Sequence, residues 1–202
     1  ALHVAKEGDV EACIELAECT SARGDVLTDE VLAVLCTNPD ESVRQAGLHA
    51  LALQVAPADG VAIAARPNAV KSLMTDPVPA LRMELADLMI TSEHSDAASE
   101  RLAAKAVRTM ATDEDFAVRA WVAWKTADRK VLRMLIHDPD PRVRGDARAN
   151  PNAPRSATDQ ARSAAREATK AAKSAARRAH GAGGAARRAS NAMRRHIARH
   201  GD

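Results

Sequence analysis

A seven-residue pattern that occurs four times limits what this chain can fold into more than any other feature. The copies are Asn38-Pro39-Asp40-Glu41-Ser42-Val43-Arg44, Asp76-Pro77-Val78-Pro79-Ala80-Leu81-Arg82, Asp113-Glu114-Asp115-Phe116-Ala117-Val118-Arg119 and Asp138-Pro139-Asp140-Pro141-Arg142-Val143-Arg144. Each opens on Asp or Asn and carries an aliphatic residue five places on and Arg at six; three of the four have Pro second. The chemistry is that of a helix start. An Asp or Asn oxygen accepts from free backbone N–H groups, and Pro fits a first turn where its missing N–H would be unpaired anyway. The copies begin at 38, 76, 113 and 138, so the intervals are 38, 37 and 25 residues. Periods near forty belong to stacked helical hairpins, and the short last interval predicts a compressed helix or a variant unit.

Ahead of each copy, apolar residues stand three apart: Leu32 and Leu35, Val70 and Leu73, Val107 and Met110, Leu132 and Leu135. That step marks one face of an earlier helix ending just before the turn. Each unit therefore reads as helix, tight turn, second helix. In this Asp-Pro turn followed by Val-Arg, the chain resembles the HEAT-like repeat family, and residues 138–154 are also similar to the leucine-rich-repeat variant. The resemblance covers roughly residues 25–154 and implies an all-α, short right-handed solenoid of about four helical hairpins. It says almost nothing about function. Residues 1–24 are expected to form an N-terminal capping helix with Ile14 and Leu16 turned inward. The domain thus runs from 1 to 154, followed by a basic tail from 155 to 202.

Composition agrees. Aromatics make up 1% of the chain, so the core must be aliphatic. A near-neutral total of +2 hides a division: residues 1–150 hold 17 basic and 24 acidic side chains, residues 151–202 hold 12 and 3. In the tail, Arg162, Arg166, Lys170, Lys173 and Arg177 follow at steps of four, four, three and four, one stripe of a helix rich in Ala. Gly181, Gly183 and Gly184 should end it, and a second basic helix is expected over 185–200. With so little apolar area of its own, the tail needs a polyanion or an acidic protein to order it.

These features point to non-enzymatic nucleic-acid binding through the DNA or RNA phosphate backbone, without strong sequence specificity, since the tail has no aromatic residue for stacking bases. The expected contacts are Arg162, Arg166, Lys170, Lys173, Arg177, Arg178, Arg187, Arg188, Arg194 and Arg195, joined by Arg119, Arg144 and Arg148 of the late repeats, where Arg129, Lys130, Arg133 and Arg142 extend a basic surface toward the tail. The alternative is a protein-interaction scaffold or adaptor whose tail engages an acidic partner or a second copy. The four motif arginines allow two readings, a row of phosphate contacts or an internal ladder to Asp of the next repeat. The ladder is favoured because the motif itself supplies the acids, with about 0–1 kcal/mol from each exposed pair.

Trp121 and Trp124 share a helix face and read as packing residues. A weak resemblance to HEAT-like alkylpurine DNA glycosylases implies a lesser alternative in which they, with Asp113 or Asp128, hold a cationic base. No GxSxG, P-loop, HExxH or dinucleotide fingerprint occurs, so no catalytic residue or cofactor is expected. Glu93-His94-Ser95-Asp96 reads as a helix cap. Cys13, Cys19 and Cys36 lack metal-ligand spacing, so no metal is expected. Aliphatic runs are too short to span a bilayer, and the chain reads as cytoplasmic with no membrane partner.

Overall fold

A computed structural model describes residues 1–23, 26–55, 61–94, 96–154 and 165–175. The chain divides into two compact units, Ala1–Pro154 and Arg155–Asp202, each taken here by itself. Among the described residues all regular structure is helical. The first unit contains α1 (Leu2–Glu7), α2 (Val10–Arg23), α3 (Asp29–Leu35), α4 (Glu41–Val55), a 3-10 turn (Ile63–Ala65), α5 (Pro67–Leu73), α6 (Pro79–Thr91), α7 (Ala97–Met110), α8 (Phe116–Lys125), α9 (Arg129–Leu135) and α10 (Pro141–Ala149). In the second unit a helix over 165–175, α11, is described.

Packing follows chain order in two rows. In one, α1 packs on α3, α3 on α5 and α5 on α7; in the other, α2 packs on α4, α4 on α6, α6 on α8 and α8 on α10. Packing of α3 on α4, α5 on α6, α7 on α8 and α9 on α10 joins the rows. The apolar pairs that precede the four motifs, from Leu32 and Leu35 to Leu132 and Leu135, are buried between them, as are the motif aliphatics Val43, Leu81, Val118 and Val143. Each fully buried Leu or Val contributes about 1.5–3 kcal/mol of apolar burial, so these repeated positions hold the rows together.

The turn differs from the expected helix start in a specific way. The opening Asp or Asn is not the N-cap. Its Oδ1 accepts from the backbone N–H two residues on, at 2.9 Å for Asn38, 2.8 Å for Asp76, 2.9 Å for Asp113 and 2.8 Å for Asp138. This closes a tight Asx turn and brings the chain round to the second helix. The cap belongs to the third residue: Asp40, Asp115 and Asp140 accept from the N–H groups of Ser42, Ala117 and Arg142. Pro39, Pro77 and Pro139 lie before the helices, and the first-turn prolines are Pro79 and Pro141.

Residues 1–23 form two helices rather than one. Among the described side chains of α2, Cys13 and Ala17 are fully buried, while Ile14 and Leu16 are half-buried beside the core. The inward positions are thus four apart, the spacing of one helix face, where the expected pair stood two apart, and their small side chains let α2 pack on α4. The short last interval has a plain origin: α9 has 7 residues where α7 has 14, and α8 has 10 where α6 has 13. The link from α8 to α9 is also shorter than that from α6 to α7.

Two side chains cap helices at a distance. Asp29 of α3 accepts from Asn68 and Ala69 N–H at the start of α5, a helix with no side-chain cap of its own. Buried Asn150, following α10, donates its Nδ2 to the carbonyls of Ala123, Trp124 and Thr126 at 2.9, 2.9 and 3.0 Å. It thereby satisfies the last turn of α8, whose carbonyls have no intrahelical donors.

Candidate nucleic-acid interface

The geometry separates arginines bound within the array from cations free at its surface. Arg44 donates Nε and Nη2 to the Asp76 carboxylate at 2.7 and 3.3 Å, Arg82 to Asp113 at 2.7 and 2.7 Å, and Arg119 to Asp138 at 2.8 and 3.1 Å. Each Nη1 turns back onto backbone carbonyls of its own turn, as Arg119 does to Asp113 at 2.8 Å and Glu114 at 3.0 Å. The Asx-turn acid of one unit is thus gripped by the arginine of the unit before. All six side chains are at most 13% exposed. The pairs are buried, unlike the exposed ladder expected from sequence. Their net contribution is small because desolvation offsets attraction, but losing one partner strands a buried charge. Arg119, expected to contact nucleic acid, has its guanidinium engaged on all three nitrogens inside this ladder.

Electrostatics within the rungs match that geometry. Burial pushes the Asp138 carboxyl up, yet the hydrogen bonds from Arg119 and from Asp140 N–H, with the Arg119 charge, outweigh it and hold the group below its ordinary value. Hydrogen bonds to the acids raise the guanidinium values of Arg44, Arg82 and Arg119.

Exposed cations gather elsewhere. On α7, Arg101, Lys105 and Arg108 stand at steps of four and three on the solvent side; on α9, Arg129, Lys130 and Arg133, at steps of one and three, are also exposed. Both are first helices of their hairpins, in successive units. Among the described residues none of the six has an ion-pair partner, and neither do Arg144 and Arg148 of α10. Arg142 is held by Asp140 at 2.9 Å and lies 3.5 Å above the Phe116 ring. The exposed face of α2 is of opposite sign, with Glu11, Glu15 and Glu18 on one stripe. Arg129, Lys130 and Arg133 belong to the basic surface expected over the late repeats, whereas the α7 cations were not expected from sequence, although the four-and-three step of Arg101, Lys105 and Arg108 is visible there.

Of the tail contacts, Arg166, Lys170 and Lys173 lie on α11, where every residue is exposed. Arg162, Arg177, Arg178, Arg187, Arg188, Arg194 and Arg195, and the helix expected over 185–200, lie outside the described residues.

The two indoles divide. Trp121 packs against the core, while Trp124 is 56% exposed. Their rings meet edge to face at 5.3 Å, and Lys125 Nζ sits 4.9 Å from each ring centre and 3.0 Å from Asp87. The chain's own lysine fills the cation–π seat. Asp113 is bound by Arg82, and Asp128 caps α9 through Lys130 N–H at 2.7 Å, so each carboxylate has another partner. Asp96 caps α7 through Ala98 and Ser99 N–H, and His94 Nε2 meets the Met89 carbonyl.

Among the described residues no three His, Cys, Asp or Glu side chains come together as metal ligands. The cysteines are free; burial, with Asp76 and Asp29 nearby, pushes the Cys36 thiol up to about 12, which makes it inert. Among the described residues no helix is long and apolar enough to cross a membrane. Comparison with protein-family models, curated proteins and solved structures gave no match.

Proposed function

We propose that the chain is a short HEAT-like solenoid that binds the phosphate backbone of DNA or RNA without catalysis or strong sequence preference. The observation that carries this reading is the sorting of its cations. The motif arginines Arg44, Arg82 and Arg119 are internally paired, whereas Arg101, Lys105 and Arg108 of α7, Arg129, Lys130 and Arg133 of α9, Arg148 of α10 and Arg166, Lys170 and Lys173 of α11 are exposed without acidic partners among the described residues. Unpaired surface cations on successive elements suit a regularly spaced polyanion and release its counterions on binding. Phosphate contacts of this kind position a protein but carry no base information.

Retention on a mixed-sequence duplex at low salt tests the proposal, comparing the full chain with one lacking 156–202. Deletion should abolish or sharply weaken retention, and unchanged retention rules the tail out. The second reading, a protein scaffold, is favoured by the acidic Glu11, Glu15 and Glu18 stripe and by exposed Val10, Val26 and Leu53. On that reading tail removal changes oligomeric mass or partner capture and leaves duplex retention alone.

A further inference from the structure

The ladder ends asymmetrically. Its first turn presents Asn38, a neutral amide, where later turns present Asp, and no earlier motif arginine precedes it. Its last arginine, Arg144, is held as the others are, with Nη1 donating to the carbonyls of Asp138 at 2.7 Å and Pro139 at 2.8 Å. Arg44 makes the same pair of bonds to Asn38 and Pro39, both at 3.0 Å. In Arg44, Arg82 and Arg119 this anchoring aims the Nε and Nη2 edge at the next unit's carboxylate. Among the described residues no oxygen meets that edge of Arg144.

We propose that this edge is a preformed seat for one phosphate of a nucleic-acid backbone. The inference rests on the function proposed above and deepens it by naming one seat. A guanidinium fork matches carboxylate and phosphate alike, and here its orientation is fixed before any ligand arrives. The surroundings favour phosphate. Asp138 is neutralised by Arg119 and Asp140 by Arg142, whereas Arg148 stands one turn along α10 without an acidic partner. Arg129 and Arg133 add exposed charge on α9 of the same hairpin. A single protein carboxylate would leave these cations unanswered, and a second copy stacking on this end would bring the Asn38 amide rather than a carboxylate. The seat also separates Arg144 from its three equivalents, whose forks are closed.

The test is a salt titration of binding to a mixed-sequence duplex by the full chain, its Arg144→Lys variant and its Arg144→Gln variant, with Arg82→Lys as the ladder control. Circular dichroism at the assay temperature checks folding. Arg144→Lys keeps the charge and loses the fork, so it should bind about tenfold more weakly with the salt slope retained. Arg144→Gln should also flatten the slope of log K against log salt by about 0.9, one phosphate's worth. Arg82→Lys should lower thermal stability and leave the slope alone. Wild-type affinity and slope in a folded Arg144→Lys variant would overturn the seat while sparing the binding function. Absence of duplex binding by the unaltered chain overturns both.

Discussion

At the scale of single residues, the buried Arg–Asp rungs make the strongest claim. Asp113→Ala leaves the Arg82 guanidinium buried and uncompensated, so the urea midpoint should fall by an amount equivalent to about 3–5 kcal/mol. Replacement of both partners by apolar residues should cost far less. The rungs also fix a pH response. Because the folded-state value of Asp138 lies below the ordinary 3.8, its contribution is present above that value and is lost as pH falls through the depressed one. Stability measured by denaturant should therefore decline below about pH 4, and Asp138→Asn should flatten that decline. The rungs themselves were legible in the sequence, since one motif supplies both acid and arginine at constant offsets. Which acid caps the helix was not. Positions one and three of the turn both carry capping chemistry, and only the fold shows that the first closes an Asx turn while the third caps. Asn150 could not be found either, because the carbonyls it serves lie more than twenty residues earlier in the chain.

At the scale of elements, glycines report how tightly the rows are built. A Cβ on Gly47 of α4 would stand 3.0 Å from Cys36 Sγ and 3.1 Å from Leu35 Cβ, so α4 approaches the end of α3 as closely as it does because no side chain intervenes there. A Cβ on Gly145 of α10 would meet nothing within 4 Å. Gly145→Ala should therefore stabilise the fold by about 0.5–1 kcal/mol through helix propensity alone, read as a raised melting temperature. A fall in melting temperature would mean that α10 is more crowded than this. Helix existence and pairing could be read from the repeat, because three-step apolar pairs and turns recur in register. The inward face of α2 could not, since Ile14 and Leu16 look like core residues until close packing on α4 selects Cys13 and Ala17. Sequence also left α7 out of the interface, although it placed the α9 cations on the basic surface of the late repeats. The cations of both helices are interleaved with core positions, and only the burial of the opposite face shows that all six point outward.

At the scale of the whole molecule, the account separates cations that hold the array together from cations available to a polyanion. The first kind sits at the starts of α4, α6 and α8, buried and bidentate to acids of the following turns. The second lies on α7, α9, α10 and the tail helix α11, while the acidic stripe lies on α2. This explains how a chain with a net charge of only +2 can still present strongly basic surfaces. The direct test is the salt slope of duplex binding by the full chain with Arg101, Lys105, Arg108, Arg129, Lys130 and Arg133 all changed to Gln. These six are exposed, so the variant should keep its helical spectrum and melting temperature. The account predicts a slope shallower by several units of about 0.9 each and a loss of affinity of at least about tenfold. A slope and affinity equal to those of the unaltered chain, in a folded variant, would contradict it.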